Sequence, residues 1–264
     1  MGDLGLADLD AELLRLVVAR LRRQEPQTIA VLVTGSYAKG LATAASDLDL
    51  TAVTRRRPRV HYRMWFEDRA GAPPLHVSAG AASAAEWKER AGESADWALG
   101  LVACDAARYL FATPKALSVL GEDPSLTHPA AKPELEDLLE AVLKARRALR
   151  QGDDYGVRLF AQTAASLAPR CLAQLNPLRV VEDRRAALDA ALALPVAPPH
   201  YAEDLSVCLG LAPKSPSEVA AAVRRLAAEL FAFLRERAPN LDPQPDIARY
   251  LADGTLEEAL RSTD

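Results

Sequence analysis

Gly35-Ser36-Tyr37-Ala38-Lys39-Gly40, followed by Ser46-Asp47-Leu48-Asp49-Leu50, is the stretch on which the reading of this chain turns. Before it, Thr28-Ile29-Ala30-Val31-Leu32-Val33-Thr34 is a short run rich in β-branched residues, which predicts a buried strand ending at Gly35. Ten residues separate Ser36 from Asp47. In Asp47-Leu48-Asp49-Leu50-Thr51-Ala52-Val53, alternation places the two aspartates on one face of a second strand and Leu48 and Leu50 on the other. Glycine permits a tight turn and has no Cβ to obstruct a phosphate, so Gly35 and Ser36 at a strand end predict a phosphate-facing loop. Lys39 and the start of a helix add positive charge there. Carboxylates two residues apart on a strand lie roughly 6 to 7 Å apart along the chain, close enough to share a divalent cation. Hard oxygen ligands favour Mg²⁺ or Mn²⁺, which would bridge the oxygens of ATP or another nucleoside triphosphate. The pattern is that of phosphoryl or nucleotidyl transfer, and it is not a Walker loop, since no Gly-Lys-Ser/Thr follows. Either half alone would read as a plain turn or as solvated carboxylates at a strand edge.

Outward from this stretch, Leu9, Leu13, Leu16, Val17 and Leu21 recur at helical spacing, with Arg20, Arg22 and Arg23 at the C-terminal end and Pro26 as the stop. After the basic turn Arg55-Arg56-Arg57-Pro58-Arg59, the runs Val60 to Phe66 and Leu75 to Ser78 predict a hairpin. From there the pattern is helical: Ser83 to Ala91, Ala95 to Phe111, Glu134 to Arg150, and a buried segment from Val157 to Leu175 that Pro169 should kink. Ser215-Pro216-Ser217-Glu218 is a capping box opening a helix to about Arg237. The expected fold class is α+β: a mixed-sheet N-terminal domain over 1–128, a helical bundle over 129–240, and a surface tail over 241–264.

Composition narrows the function classes. Hydrophobic residues are 50% and charged residues 26%, ordinary for a globular protein and incompatible with disorder. A formal charge of −4 and 5% aromatic residues make a nucleic-acid channel or an anionic membrane surface an unexpected partner. Cys104, Cys171 and Cys208 are too far apart for a disulfide framework or a zinc site, and read as reduced, mostly buried residues. No apolar run reaches the length of a membrane helix, and Asp3, Asp8 and Asp10 stand where a signal peptide needs basic residues, so a cytoplasmic location without membrane association is expected.

The Gly35-Ser36 and Asp47-Leu48-Asp49 spacing resembles the polymerase-β-type nucleotidyltransferase superfamily. Over most of its length the chain also looks like the aminoglycoside nucleotidyltransferases of the kanamycin-modifying type. The matching pieces are Gly35 to Asp49, the hairpin from Trp65 to Val77, the segment near Trp97, the helix Glu136 to Lys144, and the connection from Pro198 to Leu211 before a long helix. This resemblance implies transfer of a nucleoside monophosphate, AMP being expected, to a hydroxyl of a small, aminoglycoside-like acceptor, and a homodimer. It also implies roles on the Glu134 to Arg150 helix: Glu140 as the general base and Lys144 as a phosphate contact. By spacing alone the two are a solvent-facing ion pair, with Leu135, Leu138, Leu139 and Val142 forming the buried stripe. The family's third metal-binding carboxylate falls here at His76. Three readings follow: His76 is a nitrogen ligand favouring Mn²⁺, Glu67 or Asp68 substitutes, or catalysis is weak or lost. The last would leave a nucleotide-binding, regulatory, antitoxin-like protein on the same fold.

Several other residues are candidates of lower specificity. Trp65, Trp87 and Trp97 would either stack a nucleobase or anchor the core. The arginines at 55, 56, 57 and 59 read as a solvated turn, with a polyphosphate contact as the alternative. Glu86, Glu89, Glu93 and Asp96 are available to an acceptor cleft for a polycation. His61 and His200 show no partner spacing, and His128 is expected to be exposed.

Overall fold

The computed structural model describes residues 9–69, 71–176, 180–238 and 245–261, so Asp3, Asp8 and the stretch from Pro239 to Pro243 lie outside the described residues. The chain divides into two compact units, residues 1–93 with 104–128, and residues 94–103 with 129–264. The first unit is built on a mixed sheet and the second is helical, the α+β class that the sequence predicts.

In the first unit, helix α1 (Ala11–Gln24) is capped by Asp10, whose side chain accepts a hydrogen bond from Glu12 N at 2.8 Å. Its buried stripe is Leu13, Val17 and Leu21, while Leu16 is exposed. Strand β1 (Thr28–Val33) is wholly buried and leads into a five-residue helix, α2 (Gly35–Lys39), then β2 (Leu48–Thr54), β3 (Tyr62–Arg69) and β4 (Ala72–Ser83). A capping box of Ser83 and Glu86 starts helix α3 (Ala84–Glu89). Strands β5 (Val102–Asp105) and β6 (Arg108–Ala112), helix α4 (Pro114–Leu120) and strand β7 (Leu126–His128) complete this stretch. The five-stranded sheet runs β3-β4-β2-β1-β6; β2 and β4 are parallel and the other neighbours antiparallel.

A helix from Ala95 to Phe111 does not form. Leu99 and Gly100 both have positive φ, 53° and 80°, which ends any helical run. Beyond them, Arg108–Ala112 adds to the second edge of β1, whose buried N–H and C=O groups need partners. Tertiary pairing thus overrides an alanine-rich pattern that reads as helical.

The sheet buries both faces, but unequally. Residues Leu48, Leu50, Trp65, Leu75, Val77 and Ala79 point to one face and pack with Leu13, Val17 and Leu21 of α1. On the other face, Ile29, Leu32 and Val53 pack with Trp87 of α3 and Ala116 of α4. Trp87 donates to Pro124 O at 3.2 Å, which fixes it as a core anchor.

In the second unit, α5 (Leu135–Arg150), α6 (Asp154–Leu172), α7 (Arg184–Leu192), α8 (Tyr201–Cys208) and α9 (Pro216–Arg237) share one core. Ala141, Ala145 and Ala148 of α5 and Ala161, Ala164, Ala165 and Ala168 of α6 are all buried, and these small side chains let the helix backbones approach closely. This accounts for the alanine excess. Helix α6 begins at Asp154, ahead of Val157, because Asp153 caps it by accepting from Gly156 N at 2.8 Å. Pro169 lies inside its last turn, where one lost backbone bond is tolerated. Asp204, with no exposure, takes a bidentate contact from Arg225 at 2.7 and 2.6 Å and ties α8 to α9. Cys171 and Cys208 are buried and Cys104 half-buried, and none of the three forms a disulfide. No helix among the described residues is long and apolar enough to cross a membrane.

The expected tail over 241–264 is not one where it is described. It forms α10 (Pro245–Asp253) and α11 (Thr255–Arg261), whose Ile247, Leu251, Leu256 and Leu260 join the helical core, and Arg235 pairs with the buried Glu257 at 2.7 Å. Its prolines suggested a loose end, but its apolar residues recur at helical spacing and find the surface of α9. Leu256→Ala and Leu260→Ala should each lower the unfolding free energy by about 2 to 5 kcal/mol, as for other buried leucines. Denaturant titration checks this, and a loose tail would show no change.

Candidate nucleotide-binding site

Strand β1 is followed by Thr34, whose N–H donates to Asp49 O at 2.9 Å, and the register Val33↔Leu50 sets the end of β1 beside the start of β2. Gly35 follows with φ of 62°, a conformation that favours glycine. The Gly35 Cα faces the Asp49 carboxylate so closely that a Cβ there would collide with Asp49 Oδ2. The Gly-Ser element and the Asp-x-Asp element therefore touch, which spacing could suggest but not demonstrate.

Around Asp49 the charges converge. Partial burial and the negative charge of Asp47 raise its carboxyl above the usual range, opposed by a hydrogen bond from Ser78 and by the charges of His76 and Lys39. His76 Nδ1 lies 3.6 Å from Asp47 Oδ2, and His76 Nε2 is buried with no hydrogen-bond partner. Two carboxylates beside one another, one of them partly buried, are an arrangement that a bound cation would relieve. Among the described residues no group of three or more His, Cys, Asp or Glu side chains is arranged to hold a metal ion. A carboxylate pair suits a cation that keeps waters and shares substrate phosphates, as Mg²⁺ does, and the donors present fit that use.

Of the two carboxylates expected as alternatives to His76, Glu67 is committed elsewhere. Its Oε1 accepts from Trp65 Nε1 at 2.6 Å and pairs with Arg20 at 3.1 Å, with Arg20 also stacked 4.8 Å from the Trp65 ring centroid. Trp65 and Glu67 point to the α1 face of the sheet, opposite Asp49 and His76. Asp68 is exposed, further along β3 than Phe66. Trp65 and Trp87 are core residues rather than stacking platforms, and Trp97 packs half-buried in the second unit.

The arginines of the 55–59 turn and the glutamates at 86, 89 and 93 sit at the wrong end of the sheet for Asp49. The register Thr54↔Ser83 puts both groups at the C-terminal ends of β2 and β4, whereas Asp49↔Ser78 lies five residues earlier, roughly 17 Å at strand rise. Arg57 instead pairs with Glu86 at 3.7 Å, and Glu86, Glu89 and Glu93 line a separate 260 Å³ cavity with His61 and Arg90. Asp96 pairs with Arg170 in the second unit. His128, expected exposed, is buried: Nδ1 lies 2.9 Å from Glu93 O and Nε2 3.1 Å from Asp105 Oδ2. His200 likewise has a partner, Glu229 at 2.7 Å.

Glu140 and Lys144 belong to the second unit, exposed on α5 and 2.9 Å apart, with Lys144 Nζ 5.8 Å from the Phe160 ring centroid. The opposite side of α5 buries Leu135, Leu138, Ala141, Val142, Ala145 and Ala148, so the helix presents the pair outward, and Leu139 is only half-buried. A 630 Å³ cavity in this unit is lined by Glu203, Asp204, Lys214, Arg224 and Arg225 among others, and by none of the residues expected at a site.

The nucleotidyltransferase domain family matches residues 14–90, and the family of nucleotidyltransferase substrate binding domains matches residues 134–235. With the Gly35 and Asp49 contact inside the first match, the chain is a polymerase-β-type nucleotidyltransferase, resembling the aminoglycoside nucleotidyltransferases. Its class of reaction is nucleotidyl transfer from a nucleoside triphosphate. No curated protein matches the chain.

The two glycines that bracket α2 allow a direct test of the contact. Gly40, with φ of 73°, has open space where a Cβ would go. Gly40→Ala should cost about 1 to 2 kcal/mol of stability through backbone strain alone and leave nucleotide affinity unchanged. Gly35→Ala should cost at least as much and also weaken Mg²⁺-nucleotide binding, because the methyl displaces the Asp49 carboxylate. Calorimetric titration beside thermal unfolding separates the two.

Proposed function

We propose that this enzyme moves a nucleoside monophosphate, AMP by resemblance, from a Mg²⁺- or Mn²⁺-bound triphosphate to a hydroxyl of a small polar, aminoglycoside-like acceptor. The observation that carries the reading is the contact of Gly35 with Asp49 in a nucleotidyltransferase domain, with Asp47, His76 and Lys39 around the same carboxylate. Asp47 and Asp49 hold the cation, and Gly35, Ser36 and Lys39 receive the phosphates. The cation, when bound, draws negative charge from the triphosphate and polarises the phosphorus–oxygen bond that breaks. Glu140 takes the proton of the acceptor hydroxyl as its oxygen bonds to the α-phosphorus, and the electron pair of the cleaved bond leaves with pyrophosphate. Lys144 balances charge on the α-phosphate. A homodimer and a cytoplasmic setting belong to the same reading.

Asp47→Asn and Asp49→Asn should each abolish metal-dependent nucleotide binding without unfolding the protein, measured by calorimetry and thermal unfolding. Asp49→Asn should leave the metal-free protein no less stable, since it removes a carboxylate whose ionisation the folded site disfavours. Glu140→Gln should lower turnover by about 10²-fold or more at nearly constant nucleotide affinity, and Lys144→Ala should weaken triphosphate handling itself. Wild-type pyrophosphate release from both would return the pair to an ordinary surface ion pair.

A second reading, a nucleotide-binding regulatory protein with weak or no catalysis, is favoured by one observation: the side chain beside Asp47, where the resemblance implies a third carboxylate, is an imidazole. A neutral imidazole supplies a nitrogen donor but no charge, which suits Mn²⁺ better than Mg²⁺. On the enzymatic reading, wild-type activity prefers Mn²⁺ and His76→Glu raises Mg²⁺-supported turnover. On the regulatory reading neither cation supports pyrophosphate release, and metal-dependent nucleotide binding persists.

A further inference from the structure

Strand β3 is an edge of the sheet, and its residues alternate sharply. Trp65 is buried on the α1 face, whereas Tyr62, Met64 and Phe66 on the opposite face are 58%, 56% and 63% exposed. Three large apolar side chains in a row on an open sheet face are unusual where solvation is the only requirement.

Register places this row next to the candidate site. Phe66 pairs with His76 and Met64 with Ser78 across β3 and β4, and Ser78 pairs with Asp49 across β4 and β2. All of these side chains share the face away from α1. The Phe66 and His76 rings lie 5.2 Å apart between centroids at an interplanar angle of 34°. Ser78 Oγ donates to Tyr62 Oη at 3.2 Å and Ser78 is the register partner of Asp49, so one residue stands between the row and the carboxylates.

The strand order decides which reactant meets it. Helix α2, Gly35 to Lys39, leaves the end of β1, on one side of Asp49, while β3 lies two strands away on the other side. A triphosphate seated on Gly35 to Lys39 therefore has the apolar row across the carboxylates from it, on the side it leaves open to a second reactant. Resting on the nucleotidyl-transfer reading but narrowing its polar acceptor, we infer that Tyr62, Met64 and Phe66 form the acceptor platform, and that the acceptor is amphiphilic: a polyhydroxylated molecule with an apolar or aromatic group beside the reacting hydroxyl. A purely polycationic acceptor would leave the three side chains in water and gain nothing from them. The hydroxyl of Tyr62 marks the polar border of the platform, and Phe66 its apolar centre.

The test uses matched acceptors, free sugars and their aryl glycosides, with wild-type protein and the double variant Met64→Thr/Phe66→Thr. Threonine keeps strand propensity, and both positions are exposed, so the fold should hold; circular dichroism and thermal unfolding verify it. Binding of each compound to the protein loaded with Mg²⁺ or Mn²⁺ and a non-hydrolysable triphosphate is measured by calorimetry, and pyrophosphate release by coupled assay. We expect the aryl compounds to bind wild type about 10- to 100-fold tighter than the free sugars, and the double variant to lose that preference with triphosphate affinity unchanged. Equal binding of matched pairs by wild type overturns the platform. So does a double variant that keeps the preference, that loses triphosphate affinity (a nucleobase platform), or that changes only the sedimentation of the protein (a contact between copies). Aryl-selective binding that the variant loses, without pyrophosphate release by wild type, supports the platform and rejects the transfer reading. Absence of metal-dependent triphosphate binding in wild type rejects both.

Discussion

The close approach of the Gly35 backbone to the Asp49 carboxylate is the constraint around which the first unit is organised. It requires a residue without a Cβ, in a left-handed conformation, at the end of a strand whose neighbour begins at the same level. The Thr34 N–H to Asp49 C=O bond and the Val33↔Leu50 pairing supply that level. Once it is met, a backbone turn, a lysine and two carboxylates occupy one corner of the sheet. That corner combines positive groups suited to phosphate with negative groups suited to a cation, the pairing a metal-bound triphosphate needs.

The sheet separates structural charge from chemical charge by using its two faces. On the α1 face, Arg20, Trp65 and Glu67 satisfy one another, and the glutamate is spent on fold rather than on metal. On the opposite face, α3 packs near the C-terminal ends of β2 and β4 and α4 packs on β1 and β6, leaving Asp49, Ser78 and His76 beside an exposed apolar edge. In the helical unit, α5 follows the same logic on a smaller scale. Its alanines and leucines face α6 and α9, so Glu140 and Lys144 remain outside. Asp204 is buried and costly to desolvate, and the exposed Arg225 that pairs with it locks α8 on α9. Removing Arg225 would leave the Asp204 charge uncompensated.

Much of this was legible without coordinates. The spacing of Ser36, Asp47 and Asp49, the alternation in β2, the capping box at Ser215 and the amphipathic pattern of α5 are local or nearly local signals. They depend on backbone geometry that recurs every two or 3.6 residues. The signals that misled were those where a distant partner decided the outcome. Ala95 to Phe111 read as helix because the free edge of β1 is not visible in that segment. Residues 245–261 read as a tail because the surface of α9 that receives them is formed by another stretch. His128 read as exposed, although Asp105 and Glu93 satisfy it after folding.

The amino-acid sequence by itself determined the class of chemistry, the order of the elements from α1 to β4 and the residue types at the candidate site, because a Gly-Ser turn and paired carboxylates at that spacing are local signals. Only the tertiary structure decided which of several plausible side chains reach that corner. Glu67 was withdrawn to the α1 face, the arginine turn and the glutamates were carried to the far ends of the strands, and Tyr62, Met64 and Phe66 were brought beside His76. The physical reason is register: strand alternation assigns a residue to a face, but hydrogen-bonded pairing between strands distant in sequence assigns that face its neighbours.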